Sequence, residues 1–567
     1  MTRTSRREDE LTAVRGAGST TVLIIGAGIN GISLFRDLAL QGVDAVLVDR
    51  GDFAAGASAA SSHMIHGGIR YLENGEFRLV RESVQERNGL LRIAPHYVRP
   101  LRTTIPIYST FSGILTAPLR FLLHRSGKPQ ERGAVLIKAG LMIYDLFSRD
   151  GGAVPRHRFL GRCESLKELP ALDPDVKYTA TYFDASMHDP ERLALDVLQD
   201  GRSARATSYA LNYVEAVGRD GDAVVLRDRE SAEEFEIRAD VVVNTSGPWT
   251  DLTNAALGDQ TSFMGGTKGS HIVLDHPELL EATQGREIFF EHSDGRIVLI
   301  YPLKGRVLVG TTDIDADPRE PARCTEEEVD YFFALIKHVF PSIPVSREQI
   351  VYRFSGIRPL PRHEDTAPGF VSRDYRIELD DSAAVPTLSL VGGKWTTFRA
   401  LGESLADRVL ELLGRGRSVS TVGLPIGGGL GFPHTVRARS AWMQANLPGA
   451  DAARGDQLLV RYGTRAADVW AHIEQEADRP LADGALSVRE LEWMVDNELV
   501  VRLTDIVLRR TNIAFVGDVT TEILEELADA LAPLMGWDGD RRDAEIEATV
   551  QLLNDAHGLS LAVPTRR

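Results

Sequence analysis

The spacing of apolar positions changes abruptly near residue 26. Val22 to Ile25 is an unbroken apolar run with Thr21 ahead of it, and reads as a buried strand. Ile32, Phe35 and Leu38 then recur at helical spacing. Between the two stand Gly26, Gly28 and Gly31, in G-x-G-x-x-G order. The first glycine of such a turn reverses the chain and the second lets backbone approach a pyrophosphate. The third lets helix and strand pack closely, leaving the helix N-terminus facing the anion. Taken alone, the spacing fits a structural glycine turn equally well. A second apolar run, Ala45 to Val48, ends in Asp49, about 20 residues on, where a carboxylate can hold an adenosine ribose hydroxyl. Strand, turn, helix, strand and acid in this order point to dinucleotide binding.

The same pattern divides the rest of the chain. Gly51 to Ser62 is a run of small residues, either a flexible linker or backbone that must lie against a flat cofactor. Phe77, Val80, Val84 and Leu91 share one face of a helix expected from Glu76. Tyr209 to Val217 and Ala239 to Asn244 read as strands returning to the first domain, the latter closing in the turn Thr245 to Trp249. Gly269 to Leu274, Arg296 to Pro302 and Arg306 to Gly310 read as an antiparallel sheet, with Lys304-Gly305 as a hairpin turn. Leu388 to Val391 enters Gly392 to Thr397, and a helix carries Phe398, Leu401, Leu405 and Val409 to a stop at Gly414. Gly423 to Pro433 reads as a linker, and everything beyond it, Leu499 to Arg510 included, is helix-patterned.

The expected fold is therefore α/β: a Rossmann-like nucleotide-binding domain interleaved with an antiparallel-sheet domain, followed by a C-terminal helical domain. The boundaries are a flexible tail over 1–19, a discontinuous nucleotide-binding domain of 20–75, 205–262 and 350–414, and a substrate or cap domain of 76–204 and 263–349. A linker over 415–432 and a helical domain over 433–567 complete the chain. At 567 residues it exceeds what one core organises.

Composition adds exclusions. Cys163 and Cys324 cannot form a disulfide framework, no Cys/His cluster has zinc spacing, and a reducing compartment fits. The N-terminus lacks the apolar core of a secretory signal, and no run of 18 apolar residues is present. A net charge of −17 argues against nucleic-acid binding. Against this acidic background, Leu101 to Tyr144 carries Arg102, Arg120, Arg125, Lys128, Arg132 and Lys138 with one acid, Glu131. Together with the apolar run Phe111 to Leu123 it reads either as a segment lying on an anionic membrane surface or as a helical hairpin on the core.

Several further stretches carry a resemblance. Ala60 to Glu73 (ASSHMIHGGIRYLE) followed by Glu76-Phe-Arg-Leu-Val resembles the flavin-proximal signature of the FAD-dependent glycerol-3-phosphate dehydrogenases. Ser246 to Trp249, Lys268 to Val273, Gly310 to Asp313, Ser355 to Pro359, Ser372 to Tyr375, Gly392 to Arg399 and Leu508 to Thr511 match it in consistent order, from about residue 20 to 515. The resemblance implies an enzyme that oxidises sn-glycerol 3-phosphate to dihydroxyacetone phosphate. The C2 hydrogen and its electron pair pass to FAD, and the electrons continue to a membrane quinone. It also implies a protein on the inner face of the cytoplasmic membrane, with homodimer formation left open.

The resemblance and the residues together nominate a site. Gly26, Gly28, Gly31 and Asp49 would hold the ADP half of FAD, and Val214 is a further expected cofactor contact. Ser58, Ser61, Ser62, His66, Gly247, Gly392, Gly393, Lys394, Trp395 and Thr396 would lie along the remainder. His271, within Gly-Ser-His, is the expected base, with a structural histidine as its alternative. Arg358 and Lys394 complete the catalytic set, with Lys394 beside the flavin or the developing oxyanion. Arg70, Tyr71, Thr311 and Arg373 are expected at the substrate, whose phosphate calls for guanidinium donors. His63 stands where the family often has lysine, and Trp395 where leucine is common. Three other readings compete: an oxidase of the same fold that uses oxygen, a flavin-binding sensor without turnover, and an amine-oxidising relative.

Overall fold

The computed structural model describes residues 6–68, 77–110, 134–148, 155–291, 296–362, 375–382 and 384–563. Val22, Leu23 and Ile24 are fully buried on both faces of the Ser19–Ile25 strand, so that strand can only be central. It pairs in parallel with Ala45–Val48 on one side and with Glu234–Asn244 on the other. Tyr209–Leu211 extends the first side and Thr387–Val391 the second, both in parallel. Arg376–Asp380 runs antiparallel along the outer edge. The chain thus leaves the centre first one way and later the other, opening a crevice beyond Ile25 at the switch point, where open α/β sheets bind ligands. The helix Ile29–Leu40 covers one face, packed between Pro190–Ala204 and Phe398–Leu412.

A second sheet is built around Met264–Leu274. It pairs antiparallel with Arg306–Gly310 on one side and with Ile350–Pro361 on the other. Ile297–Leu303, Glu287–Glu291, Val98–Ile107 and Tyr178–Met187 continue it outward. The expected hairpin is present: Leu303 pairs with Arg306, and both Lys304 and Gly305 have positive φ, as a tight two-residue turn requires. Alternation sorts the two faces. Ile272, Leu274, Ile300, Val307 and Val309 pack against the helix Glu326–Val339. Val273, Leu299, Tyr301 and Leu308 face the C-terminal helices, which share one core with them. Those helices include Ala452–Tyr462, Val488–Asn497, Thr521–Met535 and Gly539–His557.

Two expectations need correction. Residues within the supposed flexible tail form a helix, Arg6–Ala17, which buries Leu11 and Val14 against the first sheet. Arg7 is buried there because Asp228 receives its Nη2 at 2.5 Å. Ile350–Pro361 and Met64–Ile65, assigned to the nucleotide-binding segments, pair in the second sheet. Their partners lie far along the chain, where period alone gives no guide. Of the basic stretch, Leu101 and Arg102 belong to the strand Val98–Ile107, while residues 111–133 lie outside the described residues. Within Leu499 to Arg510 the described structure is a short helical turn, Leu503–Asp505, that widens into a π-turn over Ile506–Arg510.

Candidate active site

A cavity of about 830 Å³ runs from the end of the Ser19–Ile25 strand to the face of the second sheet. Its first end is made by backbone. Gly26 has φ of +106°, and a Cβ there would lie 2.7 Å from the backbone of Thr245 and Ser246. A Cβ on Gly31 would fall 2.0 Å from the Gly26 carbonyl oxygen, so the third glycine serves helix packing and does not line the cavity. Ser58 Oγ accepts the Ile29 N–H at 3.0 Å at the head of the helix. Asp49 lines this end, and its carboxylate does structural service too. Oδ2 accepts the Ala27 N–H at 2.7 Å and Oδ1 that of Gly51 at 2.9 Å. Burial raises its pKa to about 6, with those two hydrogen bonds opposing.

The middle of the cavity is the small-residue run. Ala55 to Ser58 and Ala60 to Ser62 line it, so the run is a wall and no linker. Opposite lie Gly393, Lys394, Trp395 and Thr396, again a loop opened by positive-φ glycines, Gly392 and Gly393. The two walls are tied together. The Trp395 indole N–H donates to the Ser58 carbonyl at 2.9 Å, and Thr396 Oγ1 donates to that of His66 at 3.3 Å. An indole donor at 395 is thus a brace between walls, a function leucine cannot serve. Val214 and Gly247 also line the cavity, whereas Gly392 sits behind it. His63 does not line it either; it is buried with Nδ1 3.2 Å from the Met187 carbonyl.

The far end is made by side chains on strands. Residues 269 and 271 of Met264–Leu274 point to the same face. At 269 there is glycine, and the Arg358 guanidinium fills the space, since a Cβ there would lie 2.2 Å from Nη2. His271 follows on that face, paired across to Gly310 and Phe354. Its ring stacks on Phe354 at 4.7 Å between centroids, and Gly310 leaves room for it. Nε2 is 2.8 Å from Ser62 Oγ, beside the cavity, while Nδ1 is buried without a hydrogen-bond partner among the described residues. Burial, then the nearby Arg358 charge, pushes its pKa well below the ordinary imidazole value, so the ring is held neutral. Arg358 donates to Asp313 at 2.8 Å, to Thr311 Oγ1 at 3.0 Å and to the Thr312 carbonyl at 2.9 Å. Thr311 and Lys394 line the same space.

The structure therefore gathers His271, Arg358, Lys394, Thr311, Ser58, Ser61, Ser62 and His66 around one cavity with Gly26, Gly28 and Asp49. Arg70, Tyr71 and Arg373 lie outside the described residues. Asp313, Phe354 and Arg296 also belong to this end and were not singled out from sequence. Asp313 closes the Gly310-Thr-Thr-Asp motif and was within reach of motif reading. Phe354 and Arg296 carry no local signal.

Residues 21–408 match the family described as FAD dependent oxidoreductase, and residues 419–542 match the C-terminal domain of alpha-glycerophosphate oxidase. The chain is 32% identical to a glycerol-3-phosphate dehydrogenase of Synechocystis sp., over 93% of this chain and 95% of that protein. It is also 32% identical to a D-erythritol 1-phosphate dehydrogenase of Brucella abortus, over 86% and 93% of the two chains. In fold it is similar to a glycerol-3-phosphate dehydrogenase from Bacillus halodurans complexed with FAD. The TM-score is 0.73 at 22% identity, covering 96% of this chain and 98% of that one.

Proposed function

The chain belongs to the FAD-dependent glycerol-3-phosphate dehydrogenase family, and from that premise we propose that it oxidises sn-glycerol 3-phosphate to dihydroxyacetone phosphate and passes the electrons to a membrane quinone. The observation that carries this reading is the meeting of His271 and Arg358 on one sheet face, at the wall of a cavity whose other end is the glycine turn. FAD is the cofactor, and the cavity fits it. Its 830 Å³ suits a large ligand, and its glycines at 26 and 393 let neighbouring segments pack closely where a Cβ would clash with Thr245–Ser246 or Asn30.

Bound FAD supplies the two-electron acceptor. Gly26, Gly28 and the N-terminus of Ile29–Leu40 would receive the pyrophosphate, Asp49 and Val214 the adenosine end. Ser58, Ser61, Ser62, His66, Gly247 and Gly393 to Thr396 would line the remaining length, with Gly392 behind them. His271 Nε2, kept neutral, would accept the proton of the substrate hydroxyl in place of its hydrogen bond with Ser62. Arg358, fixed by Asp313, offers a guanidinium to the substrate oxygen or phosphate, with Arg70, Tyr71 and Arg373 as further candidates. Thr311 would orient the substrate, and Lys394 would steady negative charge developing on its oxygen.

The deciding experiment is anaerobic bleaching of flavin absorbance, at about 450 nm, by sn-glycerol 3-phosphate, with glycerol and D-erythritol 1-phosphate in parallel. Reduction by glycerol 3-phosphate alone supports the reading; reduction by the four-carbon phosphate alone replaces the substrate; reduction by neither removes it. Hydrogen peroxide formed under air without added acceptor would replace the quinone by oxygen.

A membrane contact accompanies the quinone reading. No described helix is long and apolar enough to cross a bilayer. The helix Ala134–Ser148 buries Leu141 and Tyr144 yet exposes Val135, Met142 and Ile143, at 48%, 58% and 40%, on one side with Lys138. An apolar stripe beside a basic residue suits shallow insertion into an anionic surface. Flotation with anionic liposomes that persists unchanged in Met142→Asp/Ile143→Asp would move the contact elsewhere.

A further inference from the structure

Two loops form the wall of the cavity at its adenosine end: Asp49 to Asp52 and Leu211 to Val214. They hold each other through backbone. The Asp49 N–H donates to the Leu211 carbonyl at 3.0 Å, the Tyr213 N–H to Gly51 at 2.9 Å, and the Val214 N–H to Asp49 at 2.7 Å. Asp49 and Val214 present the inner surface of this wall. Its outer surface is held by the C-terminal domain.

Asp52, at the end of the first loop, is buried. Its carboxylate accepts Arg509 Nε at 2.5 Å, both terminal nitrogens of Arg510, and Asn212 Nδ2 at 2.9 Å. The phenol of Tyr213 donates to Asp505 at 2.6 Å, and Asp505 also receives Arg509 Nη2 at 2.8 Å and the Val501 N–H at 2.9 Å. Arg510 continues to the Glu498 carbonyl at 2.7 Å, and Asn212 to that of Leu499 at 2.9 Å. The π-turn over Ile506–Arg510 brings two consecutive arginines onto one aspartate. Burial alone would raise the Asp52 pKa; the two guanidinium groups overcome that and hold it below the usual carboxylate range. Two acids and two arginines, one acid on the cofactor loop and the rest on the C-terminal segment, form the centre of a buried cluster, with Glu498 at its edge 3.9 Å from Arg510 Nε. None of the described residues that line the cavity lies beyond Thr396.

We propose that Asp505, Arg509 and Arg510 are positioning residues for the cofactor: through Asp52 and Tyr213 they fix both loops of the adenosine wall, so that the C-terminal domain sets FAD affinity without touching flavin or substrate. The inference rests on the assignment of this end of the cavity to the ADP half of FAD. It gives the C-terminal domain a function at the adenosine end of the cavity. A guanidinium pair holding a loop in one geometry lowers the ordering cost that a ligand otherwise bears on binding.

The test uses the holoenzyme. FAD release is followed by flavin fluorescence on serial dilution, with ADP as the competing probe of the adenosine end. Tyr213→Phe removes one hydroxyl and leaves both ion pairs, so the fold is retained. It should weaken FAD and ADP by the same factor, about fivefold, with kcat and the glycerol 3-phosphate KM unchanged at saturating FAD. Arg510→Met should lose FAD on gel filtration, and Arg510→Lys should recover part of the affinity. Asp49→Asn is run alongside. If it weakens FAD while Tyr213→Phe and Arg510→Lys lower only the melting temperature, the cluster is purely structural and the proposal fails. If FAD weakens but ADP does not, the wall is not the adenosine wall and the proposal also fails. If Asp49→Asn itself leaves FAD affinity unchanged, the pocket assignment falls and takes the inference with it.

Discussion

At the Gly26 end of the cavity the surface is backbone, and at the His271 end it is side chain. The glycine end is made by a short turn whose missing Cβ atoms let backbone segments pack closely, with Asp49 held to the turn by the Ala27 N–H. The histidine end is assembled from two strands and two loops, with His271 and Arg358 placed by register and Ser62 and Thr311 brought in from the loops. A backbone site fails when an atom is added. A side-chain site fails when one is taken away. The two ends should therefore answer oppositely to substitution, and each can be broken without the other.

The largest effect is expected at the side-chain end. His271→Asn should lower the rate of flavin reduction by about 10²–10⁴-fold, the usual contribution of a general base, while FAD stays bound. Stopped-flow reduction of the holoenzyme measures it, and a near-normal rate would return His271 to a structural role. The pH profile carries the sign. The neutral ring is the base, and its pKa is depressed by burial and by Arg358, so the acid limb of kcat/KM should lie below the ordinary imidazole range.

Matched additions of one methyl group sharpen the contrast. At Gly310 a Cβ would lie 2.1 Å from His271 Cδ2, and the ring cannot retreat because it stacks on Phe354. Gly310→Ala should cost about 10²-fold in kcat with flavin retained, as a misplacement on the order of 1 Å does. Gly26→Ala should instead yield protein without flavin, because the new Cβ meets backbone and the φ of +106° is strained for alanine. Absorbance of the purified variants separates the two outcomes.

A smaller effect is expected from protonation at the glycine end. Asp49 has a pKa raised to about 6 by burial, and only its ionised form can accept from ribose hydroxyls without surrendering its backbone bonds. FAD affinity should be flat above that pH and fall below it, by up to about tenfold per pH unit, the limit for a single proton. Titration of FAD affinity against pH tests this, and the dependence should vanish in Asp49→Asn. The smallest effect is Ser62→Ala, which removes the partner of His271 Nε2. A change of about 2- to 10-fold in kcat/KM is expected, the range of one net hydrogen bond.

What could be read from sequence follows the same division. The turn at Gly26, the helix after it and the acid at 49 were legible because strand, glycine spacing and helix are local patterns. The hairpin at Lys304-Gly305 was legible for the same reason. The Gly51 to Ser62 run was ambiguous until the fold set Trp395 against Ser58, since small residues suit a linker and a close wall equally.

The amino-acid sequence by itself determined the α/β class, the nucleotide-binding turn and, through ordered motifs, a family resemblance that the comparisons bear out. Only the tertiary structure decided which side chains meet. His271 and Arg358 are 87 residues apart in number, and they are neighbours because Gly269 pairs with Gly356 and leaves the guanidinium its space. Arg7 reads as a surface charge in sequence, because nothing local reveals that Asp228, 221 residues on, makes its burial favourable. Arg509 and Arg510 are similar: a pair of arginines is ordinary until a π-turn and a buried Asp52 give both the same partner. Local structure follows from steric rules that act over a few residues. Register and buried charge pairing depend on contacts between distant segments, and these exist only once the chain has folded.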